Sequence, residues 1–203
     1  MREFVFFSRT ARTSGNFKDL MEAGRMDIAC HVIINSFFIS NKMRDDVKLH
    51  MVFYGPPTPP RHLEMFPGKV VPETGKEAGK NQLDISKKDV ANVIKKMLFK
   101  YHEGQKTEVW QGFDIEKKNL PQVIEQMKKE GKTIYLLDPH GEEIGTIKID
   151  KNPVFILGDH KGIPGKELKR LKEICVPVSL GKVVYFASQS ITIVNHELDK
   201  RGI

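Results

Sequence analysis

Apolar residues recur along this chain with two periods, and the two periods take turns. Phe4-Val5-Phe6-Phe7-Ser8 is short and continuously apolar, as a buried strand is. A polar, basic loop from Arg9 to Asn16 follows it. From Asp27 an apolar stretch, Ile28 to Ile39, runs too long for a strand and predicts a buried helix. Lys48 to Tyr54 predicts the second strand, with Leu49, Met51 and Phe53 on one face. Gly55 to His62 carries four prolines and predicts an irregular loop, because proline cannot extend a sheet interior. Ser86 with Asp89 opens a helix whose apolar face is Val90, Val93, Ile94, Met97, Leu98 and Tyr101. Val109 to Phe113 predicts a short strand, and Asn119 caps a helix that Gly131 ends. Thr133 to Leu137 predicts a strand, Asp138-Pro139-His140-Gly141 a turn, and Ile144 to Ile149 a strand pairing back as a hairpin. The remainder predicts a strand at Val154–Leu157, a helix at Lys166–Ile174, a last strand at Val176–Ser179, and a closing helix from about Tyr185 to Leu198. Strands alternating with helices place the chain in the α/β class.

Length and composition narrow this picture. The 203 residues fit one domain, 1–203, with residues 67–81, rich in Gly, Pro, Lys and Glu, as an exposed excursion. No apolar run reaches membrane-span length and the start does not read as a signal peptide, so a cytoplasmic protein without membrane contact is expected. The two cysteines, Cys30 and Cys175, sit in apolar surroundings outside any CxxC, which excludes a disulfide framework and argues against a zinc site. The histidines do not cluster at ligand spacing, so no metal is expected. The balance of 33 basic against 26 acidic residues, a net +7, suits a polyanionic partner such as RNA.

The candidate chemistry lies in two glycine-bearing loops that each follow an apolar strand: Leu157-Gly158-Asp159-His160-Lys161-Gly162-Ile163-Pro164-Gly165, and Ser179-Leu180-Gly181-Lys182-Val183-Val184-Tyr185. Open α/β sheets bind ligands at such strand ends. The first loop fails the dinucleotide fingerprint, because His160 stands where the second glycine belongs. It fails the P-loop pattern too, because Glu167 follows Gly165-Lys166 and a carboxylate there repels phosphate. A ligand held mainly by backbone groups, without a phosphate cradle, suggests an adenosine-type molecule such as S-adenosylmethionine.

Val154 to His160, the later Val178-Ser179-Leu180-Gly181, and Tyr185, Ala187, Ser188 and Gln189 resemble the SPOUT methyltransferases. Phe7 to Ala11, Thr13, Asn16-Phe17 and Gly24-Arg25-Met26-Asp27 resemble the archaeal tRNA pseudouridine N1-methyltransferase family (TrmY). The resemblance spans nearly the whole chain and is weakest from Val71 to Gln111. It implies a SPOUT-type α/β knot: a mostly parallel sheet, helices on both faces, and a C-terminal deep trefoil knot over about residues 153–199. It implies S-adenosylmethionine-dependent methylation of N1 of a pseudouridine in the T-arm of tRNA, by a homodimer. Its cofactor site would comprise Leu137, Gly158, Ser179, Leu180, Gly181, Lys182, Val183, Val184, Tyr185 and Ser190; near the last of these the family carries a cysteine. A related family methylates pseudouridine in ribosomal RNA, and the loose likeness of its proline- and arginine-bearing loop to Tyr54–Arg61 implies Arg61 as an RNA contact.

Pseudouridine is joined to ribose through carbon, so its N1 bears a proton that must leave as the methyl group arrives. The enzyme must align the reactants and accept that proton. Asp27 is the expected acceptor and Arg25 the group that stabilises the developing anion, with Arg9 and Arg12 placed for RNA phosphate. Asp159 is an alternative acceptor, and Asp27 has an alternative reading as a helix N-cap. Two further readings remain: a ribosomal RNA substrate, and an RNA-binding protein of the same fold without catalysis.

Overall fold

The computed structural model describes residues 1–40, 42–69 and 86–203. Its elements in chain order are β1 (Arg2–Ser8), α1 (Met26–Phe37), β2 (Phe38–Ile39), β3 (Lys42–Met43), β4 (Val47–Phe53), β5 (Arg61–Met65), α2 (Lys87–Phe99), β6 (Thr107–Trp110), β7 (Phe113–Glu116), α3 (Leu120–Lys129), β8 (Ile134–Glu143), β9 (Val154–Gly158), α4 (Gly165–Ile174), β10 (Val176–Ser179) and α5 (Ala187–Arg201). Eight strands form one sheet in the order β10-β8-β9-β1-β4-β5-β7-β6. The five from β10 to β4 are parallel, and the last three pair antiparallel.

Burial on both faces explains the continuous apolar runs. In β1, Phe4 and Phe6 enter a core with α1, α2 and α5, while Val5 and Phe7 enter a second core with α3 and α4. Tyr135 and Phe155 stack at 5.1 Å under the first core. Helices therefore lie on both faces, and the mostly parallel sheet matches the α/β expectation.

Several boundaries differ from the sequence reading, each for a tertiary reason. Arg61 and His62 belong to strand β5, not to the proline loop, because they pair with Phe53 and Val52. The single strand expected at 109–113 is a hairpin, β6–β7, turning at Gly112 with φ 80. Ile144 to Ile149 does not pair back on β8. Both isoleucines are buried in the first core, the Ile144 N–H donates to the Ser179 carbonyl at 2.9 Å, and Arg201 holds the Ile144 and Ile147 carbonyls. The turn expected at 138–141 lies inside β8. There the ladder to β10 jumps from Leu136↔Pro177 to Glu142↔Val178, so residues 137–141 stand out of it. The helix expected from Ile28 ends at Phe37, and Phe38–Ile39 leave in a small hairpin. The closing helix starts at Ala187, leaving 180–186 as a loop. The excursion expected over 67–81 falls, from residue 70 on, outside the described residues.

One largely buried polar ladder crosses the second face of the sheet. Glu3, His50, His62 and Glu116, on four neighbouring strands, are linked by hydrogen bonds of 3.1, 2.9 and 2.9 Å. The Glu64 carboxylate lies close to both imidazoles. The rings are parallel to within 5° with centroids 5.2 Å apart, so Nδ1 of His50 and Nε2 of His62 point at each other. The histidines that lie twelve residues apart in sequence thus do cluster in the fold, with Glu64 beside them. Burial pushes His62 down to about 4. Burial opposes ionisation of Glu3 and Glu116, yet His50 with Lys132, and His62 with Lys118, hold them down to about 2. A depressed histidine adds stability that is complete above its unfolded value of 6.5 and is lost as pH falls towards about 4. The glutamates add stability that is complete above 4.5 and is lost towards about 2. Denaturant unfolding is therefore expected to show stability falling from pH 7 to pH 4.5, with a shallower fall in His62→Gln. A flat profile in the unsubstituted protein would contradict the burial of a neutral His62.

Candidate active site

Because β8, β9, β1 and β10 are parallel, their carboxyl ends open on one edge of the sheet. A cavity of about 770 Å³ lies there, within the range of small-ligand sites. Of the residues expected to hold a cofactor, Leu137, Gly158, Leu180, Gly181, Val183, Val184, Tyr185 and Ser190 line it. Ser179 is buried behind the wall and shapes the loop instead, accepting from the Gly181 N–H at 3.1 Å. Lys182 projects to solvent and is not in the lining.

Local structure explains the wall. The break in β8 turns Leu137, Asp138 and Pro139 toward the cavity. A Cβ on Gly141 would meet the Val178 backbone nitrogen at 2.4 Å, so only glycine lets β8 pass β10 this closely. Gly181 has φ 104, which lets the loop after β10 reverse. Asp138 is held below the usual carboxylate range: burial opposes this, but the Lys172 ammonium at 2.6 Å and the His140 N–H outweigh it.

Asp27 and Arg25 face the same cavity. Arg25 sits at the N-cap position of α1 in the left-handed region, φ 62. From there its guanidinium grips Asp27 through two bonds, Nε to Oδ1 and Nη2 to Oδ2, each 3.0 Å. This bidentate pair holds Asp27 ionised, below the usual carboxylate range, with the Arg25 hydrogen bonds as the leading cause. The capping alternative for Asp27 fails, because Arg25 occupies the cap position and no side chain caps the helix. Gly24 makes the approach possible: a Cβ there would lie 1.7 Å from the Thr10 carbonyl oxygen. Ile28, next to Asp27, and His31, one turn along α1, also line the cavity. The sequence signal for His31 is its i, i+4 spacing from Asp27, and for Ile28 its i, i+3 spacing from Arg25, visible only once that helix face is known to border a site.

The expected RNA contacts separate. Arg9 is exposed and Arg12 half-buried on the loop after β1. Arg61 is buried, contrary to an outward RNA contact. It lies 3.5 Å over the Tyr101 ring and donates to the Thr58 and Pro60 carbonyls at 2.7 and 2.8 Å, so its terminal nitrogens are taken up inside the proline loop.

Residues and cavity suit an adenosyl cofactor. The wall combines apolar side chains, Leu137, Leu157, Val178 and Leu180, with backbone at Gly158 and Gly181. At Gly158 an added Cβ would meet the Gly162 backbone at 2.9 Å, so the first loop must shift to admit one. Gly158→Ala is expected to weaken S-adenosylmethionine binding on the order of tenfold, about 1.4 kcal/mol, by titration calorimetry. Unchanged affinity would contradict the role of this loop.

Comparison with known proteins bears on the same region and the whole chain. A family model described as "Putative SAM-dependent RNA methyltransferase" matches residues 1–203. A tRNA (pseudouridine(54)-N(1))-methyltransferase of Methanococcus aeolicus is 37% identical over 210 residues, covering 98% of each chain. The corresponding enzyme of Methanocaldococcus jannaschii is 34% identical over 213 residues, covering 100% of this chain and 98% of that one. Among solved structures, Archaeoglobus fulgidus Nep1 bound to S-adenosylhomocysteine superposes with a TM-score of 0.63 at 14% identity, covering 100% of this chain and 99% of Nep1, which shows a shared fold. The chain thus shares the fold of Nep1 and belongs to the family of S-adenosylmethionine-dependent RNA methyltransferases that includes these tRNA (pseudouridine54-N1)-methyltransferases.

Proposed function

We propose that this protein transfers a methyl group from S-adenosylmethionine to N1 of the T-arm pseudouridine of tRNA, position 54 in its relatives' names. The observation that carries the proposal is the ionised Asp27, gripped by Arg25, on the wall of the cavity that the two glycine loops build. The cofactor, when bound, supplies a methyl group on sulfonium sulfur that needs no further activation. The chain's own residues supply the rest. Leu137, Leu157, Leu180 and the backbone at Gly158 and Gly181 enclose the adenosyl part and exclude water. Asp27 accepts the N1 proton through a carboxylate oxygen as N1 is methylated, and Arg25, which fixes the orientation of that carboxylate, stabilises the developing imide anion. Arg9 and Arg12 hold RNA phosphate on the adjoining loop.

The same reading includes a homodimer, a knotted path for about residues 153–199, and a cytoplasmic location. Val184 and Phe186 are 83% and 75% exposed beside the cavity mouth, an apolar cost that a second subunit would relieve. The close passage of Gly141 over β10 suits a threaded chain. Cys30 and Cys175 are free and buried, their thiols pushed up to about 12 and about 11 by burial, which fits a reducing compartment. Among the described residues no helix is long and apolar enough to cross a membrane.

Labelled cofactor is to be incubated with tRNA transcripts carrying uridine or pseudouridine in the T-arm. Label is expected only in the pseudouridine form, because the N1 of uridine is already bonded to ribose. Label in the uridine form would reject the N1 reaction, and label only in ribosomal RNA would move the substrate. In the active pairing, Asp27→Asn is expected to lower kcat on the order of 10² to 10⁴, since an amide oxygen is a far weaker base. Full activity would remove Asp27 from the mechanism.

A further inference from the structure

Asp159 is the first residue after β9 and borders the cavity, yet its carboxylate does not stand free in it. One oxygen, Oδ2, accepts from the Ser8 hydroxyl at 2.7 Å and from the Arg9 N–H at 3.1 Å. The other, Oδ1, accepts from the Lys161 N–H at 2.8 Å. The Asp159 N–H donates to the Phe7 carbonyl at 2.9 Å. Both Ser8 and Asp159 are buried. A single carboxylate therefore joins the cofactor loop after β9 to the first residues of the basic loop after β1.

The contacts continue outward from that joint. The Ser8 hydroxyl also accepts from the Ala11 N–H at 3.0 Å, which folds the start of the basic loop back on β1. The Thr10 hydroxyl donates to the Gly24 carbonyl at 3.0 Å. The Thr10 carbonyl lies so close to Gly24 and Gly55 that a Cβ on either would come within 2.2 Å of it. Gly24 leads directly into Arg25 and Asp27. The path from cofactor loop to proton acceptor thus runs Asp159, Ser8, Thr10, Gly24, Arg25, with a hydrogen bond, chain connection or tight backbone contact at each step.

We propose that Asp159 is a positioning residue: with Ser8 it sets the height of the basic loop, and through Thr10 and Gly24 the Arg25–Asp27 pair, over the cofactor loop. Its three donors fix the carboxylate in one orientation, as a positioning role requires, and the proton acceptor remains Asp27. The inference rests on the reading of the cavity as a methyl-transfer site. Misplacing a general base by about 1 Å can cost on the order of a hundredfold in rate, so the clamp acts on turnover more than on binding.

Ser8→Ala removes the hydroxyl link without touching the cofactor loop. Asp159→Asn keeps an oxygen for the Lys161 N–H but turns an amide N–H₂ toward the Ser8 hydroxyl and Arg9 N–H. Both variants are expected to lower kcat on the order of ten- to a hundredfold. For Ser8→Ala, which lies outside the cavity wall, S-adenosylmethionine affinity should stay within about twofold by calorimetry. The double variant is expected to lose little beyond either single one, because both cut the same joint. Amide hydrogen exchange at Arg9 and Ala11 is expected to speed up in each. If Asp159→Asn loses far more than Ser8→Ala and also loses the acid limb of the kcat–pH profile, Asp159 is the base and the proposal fails. It fails equally if kcat is unchanged below the melting temperature while stability alone drops. If the unsubstituted protein methylates no pseudouridine-bearing RNA, the functional reading falls, and the exchange rates at Arg9 and Ala11 alone decide whether the clamp exists.

Discussion

Everything at the site depends on four strands running the same way. The parallel ladder of β10, β8, β9 and β1 brings their carboxyl ends to one edge of the sheet. The loops after β9 and β10 can then meet the loop after β1, although about 150 residues of sequence lie between Ser8 and Asp159. Parallel strands require burial on both faces, which is why β1 and β9 are apolar almost throughout. The helices that supply this burial also supply charged groups at the cavity. The helix packed on the first core, α1, carries Asp27 at its start, and α4 carries the Lys172 that holds Asp138.

Charge is spent differently in the two halves of the sheet. At the open edge each carboxylate faces a specific donor: Asp27 faces Arg25, Asp138 faces Lys172, and Asp159 faces Ser8 with two backbone N–H groups. Each is thus held in one orientation, as a site that must align reactants requires. Away from the edge, the ladder from Glu3 through His50 and His62 to Glu116 ties the parallel strands to the antiparallel ones. Buried polar groups of this kind are tolerable only when each finds a partner. The ladder meets that condition for both imidazoles.

Much of this was legible before any coordinates. The helices of 87–99 and 120–129 announce themselves by capping residues at Ser86 and Asn119 and by 3.6-residue periodicity. The two glycine loops announce themselves by following apolar strands, and they do wall one cavity. What was illegible is what only tertiary pairing decides. Strand β5 begins with Arg61 and His62, which read as the end of the proline loop until β4 is known to lie beside them. The apolar alternation of 144–149 resembles a strand, but Ile144 and Ile149 serve the first core, and Arg201 takes the Ile144 and Ile147 carbonyls. Arg61 has the composition of a nucleic-acid contact, and only the Tyr101 ring beneath it shows that it turns inward. The capping reading of Asp27 was sound chemistry placed two residues too late, since the helix begins at Met26.

The central claim is spatial: the glycine loops hold the cofactor so that its reactive group faces the Arg25–Asp27 pair. A crystal structure of this protein with S-adenosylhomocysteine tests it most directly. The claim predicts the ligand in the cavity between Leu137, Gly158 and Leu180, with its sulfur directed at Asp27 and its adenine against the loop backbone. A ligand bound elsewhere, or one in the cavity whose sulfur is turned away from α1, would contradict it.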